Sequence, residues 1–329
     1  MALIQRQTNA SHSTRGAGAS DTGVLLRKFD FRAMGTPCSI QFAATDTGQA
    51  NGYERAALKW VQNFEARYTR FRDDSLVGQI NLAAGKWVEV DAEMDRMLDM
   101  CGMVHFMTQG IVDVTAGPLA KLWDYHHANP RLPSETEVQQ ARQLVGWNLV
   151  ERKPGWIRLP QSGMSLDFGG WGKEFAVDHV AGMAADFGLD HVLVDFGHDI
   201  KAVGNPPGRP AWHVGLEDPL KPGAMWGSIA ALNCAVASSG DYQRGFTIDG
   251  QRYGHIIDPR DGRPATHGLR QVTVVAPTCL QAGMLATTAF VLGPEAGLDL
   301  IQETMGAEAC MVSTRAKHQT RGFFQYVVT

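Results

Sequence analysis

The run Ser165-Leu166-Asp167-Phe168-Gly169-Gly170-Trp171-Gly172-Lys173-Glu174 has the residue types of an anion-binding turn. A strand that ends in glycines and leads into a helix aims free backbone N–H groups and the positive end of the helix dipole into one space. Lys173 adds a positive charge at the start of that helix, a combination that suits a phosphate or pyrophosphate. The spacing is not that of a Walker A loop, because Glu174 follows Lys173 where Ser or Thr would hold Mg²⁺. Glycines at 169, 170 and 172 do not make a GxGxxG fingerprint either. A plain Gly-rich turn with a surface lysine has the same local features.

Tyr253-Gly254-His255-Ile256-Ile257-Asp258-Pro259 reads as a strand entering a turn, with His255 and Ile257 on one face. His255 there is either a proton carrier or a structural histidine. Ser238-Ser239-Gly240-Asp241-Tyr242 offers hydroxyls but lacks GxSxG and an identifiable base, which disfavours a Ser-His-Asp hydrolase. Val112-Asp113-Val114-Thr115 places an acid and a hydroxyl just before Gly117. His126-His127 with Asp124 only superficially resembles a metal cluster, since no third ligand is evident.

The elements that must position these residues mix helices and strands. Strands are expected at 28–34 and 38–42, then at 164–168, 191–195, 212–216, 229–237, 252–257, 271–276, 310–313 and 322–328. Helices are expected over 52–68, after Asp91 as N-cap, from the capping box at Ser134–Glu137, over 172–187, over 278–292 and from Pro294. The order lacks regular βαβα alternation, so the fold class is α+β. Residues 1–24 read as a Ser/Gly-rich tail and 25–329 as one large domain.

Thirty Lys+Arg against thirty-four Asp+Glu leave a net charge of −4, with no electrostatic call for nucleic acid or an acidic membrane surface. Five scattered cysteines without a CxxC indicate neither a zinc knuckle nor a disulfide framework. No run reaches the roughly 18 apolar residues of a membrane span. The N-terminus has no apolar signal core. The literal reading is cytoplasmic, or periplasmic or membrane-associated if a leader has been removed.

Taken in order, several motifs resemble the FAD:protein FMN transferases, the ApbE-like family. They are Met34-Gly35-Thr36, Phe71-Arg72-Asp73-Asp74-Ser75, Asp113 to Leu119, Leu166 to Gly170, Ser238 to Tyr242, Tyr253 to Pro259, and Leu285-Ala286-Thr287 leading to Phe290-Val291-Leu292-Gly293. The resemblance implies an α+β fold that binds FAD with a divalent metal, usually magnesium, on the pyrophosphate. It implies transfer of FMN from FAD to a Thr or Ser hydroxyl of a target protein, with release of AMP. Carried over by position, Met34, Phe71, Val112, Asp113, Val114, Asp167, Lys173 and Ile257 line the FAD site. Gly170 offers its carbonyl and Thr287 its hydroxyl to the metal, and His255 handles a proton or contacts phosphate.

Three residues depart from the family pattern: Gly283 stands where a metal-binding Asp is usual, Glu174 where Gly commonly follows the lysine, and His198 where a second Gly is usual. Magnesium prefers anionic oxygens, so Gly283 also admits two alternatives: a catalytically impaired flavin-binding protein, or an FAD pyrophosphate hydrolase. The family's acceptor pattern is absent from this chain, so the acceptor is expected to be another protein.

Overall fold

The computed structural model describes residues 24–83, 85–124, 130–221, 223–242 and 244–328; the tail and the His126-His127 pair lie outside them. Its centre is an eight-stranded sheet in which every neighbouring pair is antiparallel. The order is Leu25–Ala33, Thr36–Ala44, Val192–Phe196, Asp199–Val203, Ala235–Gly240, Leu269–Ala276, Glu308–Ser313 and Lys317–Gln319. Eight α-helices occur among the described residues: α1 (Thr47–Tyr68), α2 (Leu76–Leu82), α3 (Ala92–Met107), α4 (Gly117–Leu122), α5 (Glu135–Arg142), α6 (Gly172–Met183), α7 (Cys279–Leu292) and α8 (Pro294–Glu303).

Strand alternation sends side chains to opposite faces, and both faces of this sheet are covered. Val192, Val194, Phe196, Val272 and Val274 join the larger core with the helices. Leu193, Ile200 and Val275 join a smaller core. That smaller core is closed by a three-stranded sheet of Trp212–Glu217, Met225–Ala231 and Val327–Val328. The result is an α+β architecture, as the element order implies. No helix of the described residues is long and apolar enough to cross a membrane.

The expected helix caps are present: Asp91 accepts from Met94 N, and Ser134 and Glu137 form a reciprocal capping box. Thr278, just before α7, also caps, accepting from Gln281 N. Four strand expectations need correction. Residues 229–237 are not one strand: the chain turns at Leu232–Cys234, with Asn233 in the left-handed region (φ 50°), and its two halves enter different sheets. Residues 252–257 are likewise divided, pairing stopping at Gly254 and resuming at Ile257, so no unbroken alternation links His255 with Ile257. The terminal segment is a 3₁₀ turn at Phe323–Tyr326 with only Val327–Val328 paired.

The fourth correction concerns the approach to the glycine turn. Met164–Asp167 is extended but belongs to no sheet. Asn81 holds Leu166 through both backbone groups (3.0 and 2.7 Å), and Asp167 N donates to Val114 O (2.7 Å). The backbone groups that a ladder would satisfy are satisfied by a side chain and a neighbouring loop instead.

Candidate active site

The glycine turn is a 3₁₀ turn, Phe168–Gly170, whose Asp167 side chain accepts from Gly169 N (2.8 Å). Trp171 then starts α6 without any side-chain cap. The first amides of α6 are thus available to an anion, and the helix dipole reinforces them.

Residues that the sequence places in the FAD site converge on this turn. Arg70 pairs with Asp167 (2.8 Å) and lies 4.3 Å over the Phe71 ring, so Phe71, which is 80% exposed, is tied to the turn through one guanidinium. Val112 lies beside Gly170, its Cγ1 3.9 Å from where a β-carbon would stand, and Val114 holds Asp167 through the backbone. Lys173 pairs with Asp199, a buried carboxylate at the start of the Asp199–Val203 strand. The ammonium is therefore oriented before any ligand arrives. Met34 sits nearby in the first hairpin turn (φ 50°), its N–H donating to Glu65 Oε1 (2.8 Å). That turn abuts Gly197: a β-carbon there would stand 2.2 Å from Thr36 Oγ1.

Next to Gly197, His198 has φ 73°, a left-handed conformation that the two-residue hairpin turn demands and that glycine adopts at less cost. This explains why a second glycine suits the position.

Asp113 is part of the wall, but its carboxylate faces the protein. One oxygen accepts from Thr115 N (2.8 Å) and Thr115 Oγ1 (2.6 Å), the other from Trp147 N (2.9 Å) and contacts His105 Nδ1 (2.8 Å). A cavity of about 430 Å³ lies between His105 and Asp113 on one side and Pro259 and Arg260 on the other. It brings the turn after Ile257 opposite the Val112–Val114 wall.

His255 sits just before Ile257. Burial, reinforced by the Arg244 guanidinium, pushes its imidazole from 6.5 down to about 4, so it is neutral at physiological pH. Its loop is pinned by Asp241, which pairs with Arg252 (3.2 Å) and Arg270 (3.3 Å) at the end of the Ala235–Gly240 strand. The same strand carries Ser239, whose hydroxyl is 2.8 Å from that of Thr287 and holds its orientation.

The decisive arrangement is between α6 and α7, which run antiparallel in a defined register. Asp178 on α6 accepts from Cys279 N (2.8 Å) and Leu280 N (2.9 Å), capping α7. Burial raises this carboxyl above its usual range. One turn earlier on α6 and one turn later on α7, Glu174 meets Gly283: a β-carbon on Gly283 would lie 2.7 Å from Glu174 Cγ and 2.9 Å from Oε1. The next step of the same register, at helical spacing, directs Thr287 toward the N-terminal end of α6, where Gly170 lies.

Sequence reasoning noted Glu174 and Gly283 separately and missed that they face each other. The partners of Arg70, Asn81, Asp178, Asp199 and Ser239 were also missed; a local sequence pattern carries no signal for contacts so distant along the chain. Among the described residues no group of three or more His, Cys, Asp or Glu stands ready to hold a metal ion. Asp167 and Asp199 are already paired with Arg70 and Lys173, so the oxygens near the turn without such a partner are the Glu174 carboxylate, the Thr287 hydroxyl and the Gly170 carbonyl. That donor set fits Mg²⁺, which takes oxygen ligands and is typically bound by one or two carboxylates together with substrate phosphates.

Comparison with known proteins is consistent with this geometry. The ApbE family model matches residues 34–311. The FAD:protein FMN transferase of Treponema pallidum (strain Nichols) is 29% identical over 317 residues, covering 90% of this chain and 88% of its own. That of Haemophilus influenzae is 28% identical over 300 residues, covering 86% and 85%. Among solved structures, the apo flavinyl transferase ApbE of Pseudomonas stutzeri superposes with a TM-score of 0.81 at 26% identity, covering 92% of this chain and 97% of its own. The ApbE protein of Thermotoga maritima gives 0.83 at 27% identity, covering 93% and 100%. With its match running from the first hairpin to the penultimate strand of the central sheet, this chain belongs to the ApbE family.

Proposed function

We propose that this protein is an FAD:protein FMN transferase: it moves FMN from FAD to a Ser or Thr hydroxyl of an acceptor protein and releases AMP. The observation that carries this reading is the uncapped start of α6, with Lys173 in its first turn, in a chain of this family. In the reaction the acceptor oxygen forms a bond to the FMN phosphorus, the bond from that phosphorus to the AMP oxygen breaks, and the acceptor hydroxyl loses its proton.

The free amides of α6 and Lys173 bind the pyrophosphate and balance its charge. Met34, Phe71, Val112, Val114, Asp167 and Ile257 line the cleft for the rest of FAD, and Asp113 shapes its wall from behind. In this reading His255, neutral near pH 7, accepts the hydroxyl proton. The Gly170 carbonyl and Thr287 hydroxyl are the oxygens offered to Mg²⁺, which when bound supplies further charge neutralisation at the phosphates.

Calorimetric titration of FAD into metal-free protein, repeated with MgCl₂, tests the binding half: FAD should bind, and more tightly with magnesium. Mass spectrometry of Ser/Thr-containing candidate acceptors incubated with FAD and enzyme tests the transfer half, through the mass of an added FMN. Absence of FAD binding under both conditions would refute the reading.

A further inference from the structure

Glu174 is an anomaly for its surroundings. It is buried, with 9% of its surface exposed, and its Oε2 has no hydrogen-bond partner. A buried carboxylate oxygen without a donor carries a desolvation penalty that native structures seldom keep without a use. Nothing in the packing compels the charge. Leu, Met or Gln would fill a similar volume on the inner face of α6.

The space that admits this side chain exists because Gly283 has no β-carbon. A side chain at 283 would overlap Glu174 at 2.7 to 3.1 Å from Cγ, Oε1 and Cδ, so the two positions share one carboxylate-sized volume. Only one of them can fill it. Gly283 lies one turn before Thr287 on α7, and Glu174 lies in the first turn of α6, four residues after Gly170 at the end of the 3₁₀ turn. By the α6–α7 register the orphaned oxygen thus lies one helical turn from the level of the two groups already assigned to the cation.

We propose that Glu174 supplies the anionic oxygen for the divalent cation at the FAD pyrophosphate, reaching from α6 into the volume that Gly283 vacates on α7. This inference rests on the proposed function. It makes the departures at 174 and 283 a matched pair: the carboxylate has moved across the helix interface. With only one carboxylate, the site lacks the donors to hold a cation firmly alone, so cation uptake depends on bound FAD and its phosphate oxygens.

The test uses Mn²⁺ as probe, with the electron paramagnetic resonance signal of free Mn²⁺ followed during titration of the full chain, with and without FAD. The wild-type FAD complex takes up Mn²⁺ and the FAD-free protein takes up far less. Glu174→Gln, of nearly the same shape, weakens Mn²⁺ uptake by the FAD complex by at least roughly ten- to hundredfold, which is already the cost of losing a group that only supports a ligand. Its metal-free affinity for FAD stays equal or rises, because a negative charge has left the neighbourhood of the pyrophosphate. Glu174→Asp, which keeps the charge but retracts it, falls between.

Gly283→Asp alone does not improve uptake, whereas Glu174→Gly combined with Gly283→Asp recovers it by returning the carboxylate from the opposite helix. Wild-type Mn²⁺ affinity in a folded Glu174→Gln–FAD complex would overturn the assignment while leaving the proposed function intact. Failure of the wild type to bind FAD at all would remove that function, and with it the assignment.

Discussion

Two buried carboxylates flank the glycine turn and are treated in opposite ways. Asp113 has each oxygen engaged twice, by Thr115 N and Oγ1 on one side and by Trp147 N and His105 on the other. Glu174, at comparable depth, leaves Oε2 with nothing. The first carboxylate ties the loop after α3 to the turn before Trp147 and so builds the wall of the cleft. The second is held in reserve. A saturated buried acid is architecture, whereas an unsatisfied one stores affinity for something that arrives later.

The sharpest way to break this contrast is to remove Asp113. Asp113→Ala leaves the Trp147 and Thr115 amides and the Thr115 hydroxyl without their acceptor, and the expected loss is about 3–4 kcal/mol. Urea denaturation measures it as a lowered midpoint with an unchanged slope. A loss below about 1 kcal/mol would mean that the four contacts are incidental.

Next in size is Gly283→Asp. Its β-carbon would overlap Glu174 and its charge would face a second buried carboxylate, so about 2–3 kcal/mol of destabilisation is expected. Glu174→Gly in the same chain removes the overlap. The double variant should then be more stable than the sum of the single effects by more than about 1 kcal/mol, the signature of residues in contact. Additive effects would mean that Glu174 does not occupy the vacated volume.

His255 extends the comparison to a group whose burial opposes its charged form. The unfolded chain takes up its proton near pH 6.5 and the folded protein only near 4. Stability from this histidine is therefore complete above pH 6.5 and is lost as the pH falls toward 4, by about 2–3 kcal/mol. Asp178 and Asp195, both raised by burial, act in the opposite sense. The difference between wild type and His255→Gln across pH 4–7 isolates the effect, and equal pH profiles would show the imidazole to be free to protonate in the folded state.

Much of this molecule was legible because its signals are local. Caps at Asp91 and Ser134 and the helices over 52–68 and 278–292 were read from side-chain type and spacing, and the ordered motifs led to the family. What escaped was decided by partners distant in the chain. Asn81 turns an apparent strand at Met164–Asp167 into a pinned loop. A left-handed Asn233 cuts one apolar run into strands of two sheets. The short helices α2 and α4 lack the length for a clear 3.6-residue period. Glu174 and Gly283 each looked like a loss to the site, and only the α6–α7 register, set by Asp178 capping α7, shows that they face each other.

The smallest expected effect is the most discriminating one. Glu174→Gln should change stability by less than about 1 kcal/mol in the absence of ligands, and in the stabilising direction. The substitution removes a buried charge with an unpartnered oxygen and breaks no hydrogen bond at that atom. Asp113→Asn should still be clearly destabilising, because an amide cannot accept at both ends. Saturating FAD and Mg²⁺ should reverse the ranking at position 174. Ligands that bind only the folded state raise its stability by RT ln(1 + [L]/Kd), so the wild type gains more than the glutamine variant, whose cation site is weakened. Thermal denaturation with and without both ligands measures the crossing of the two curves. If Glu174→Gln lowers the ligand-free midpoint as Asp113→Asn does, the carboxylate at 174 is structural after all, and the distinction between the two acids fails.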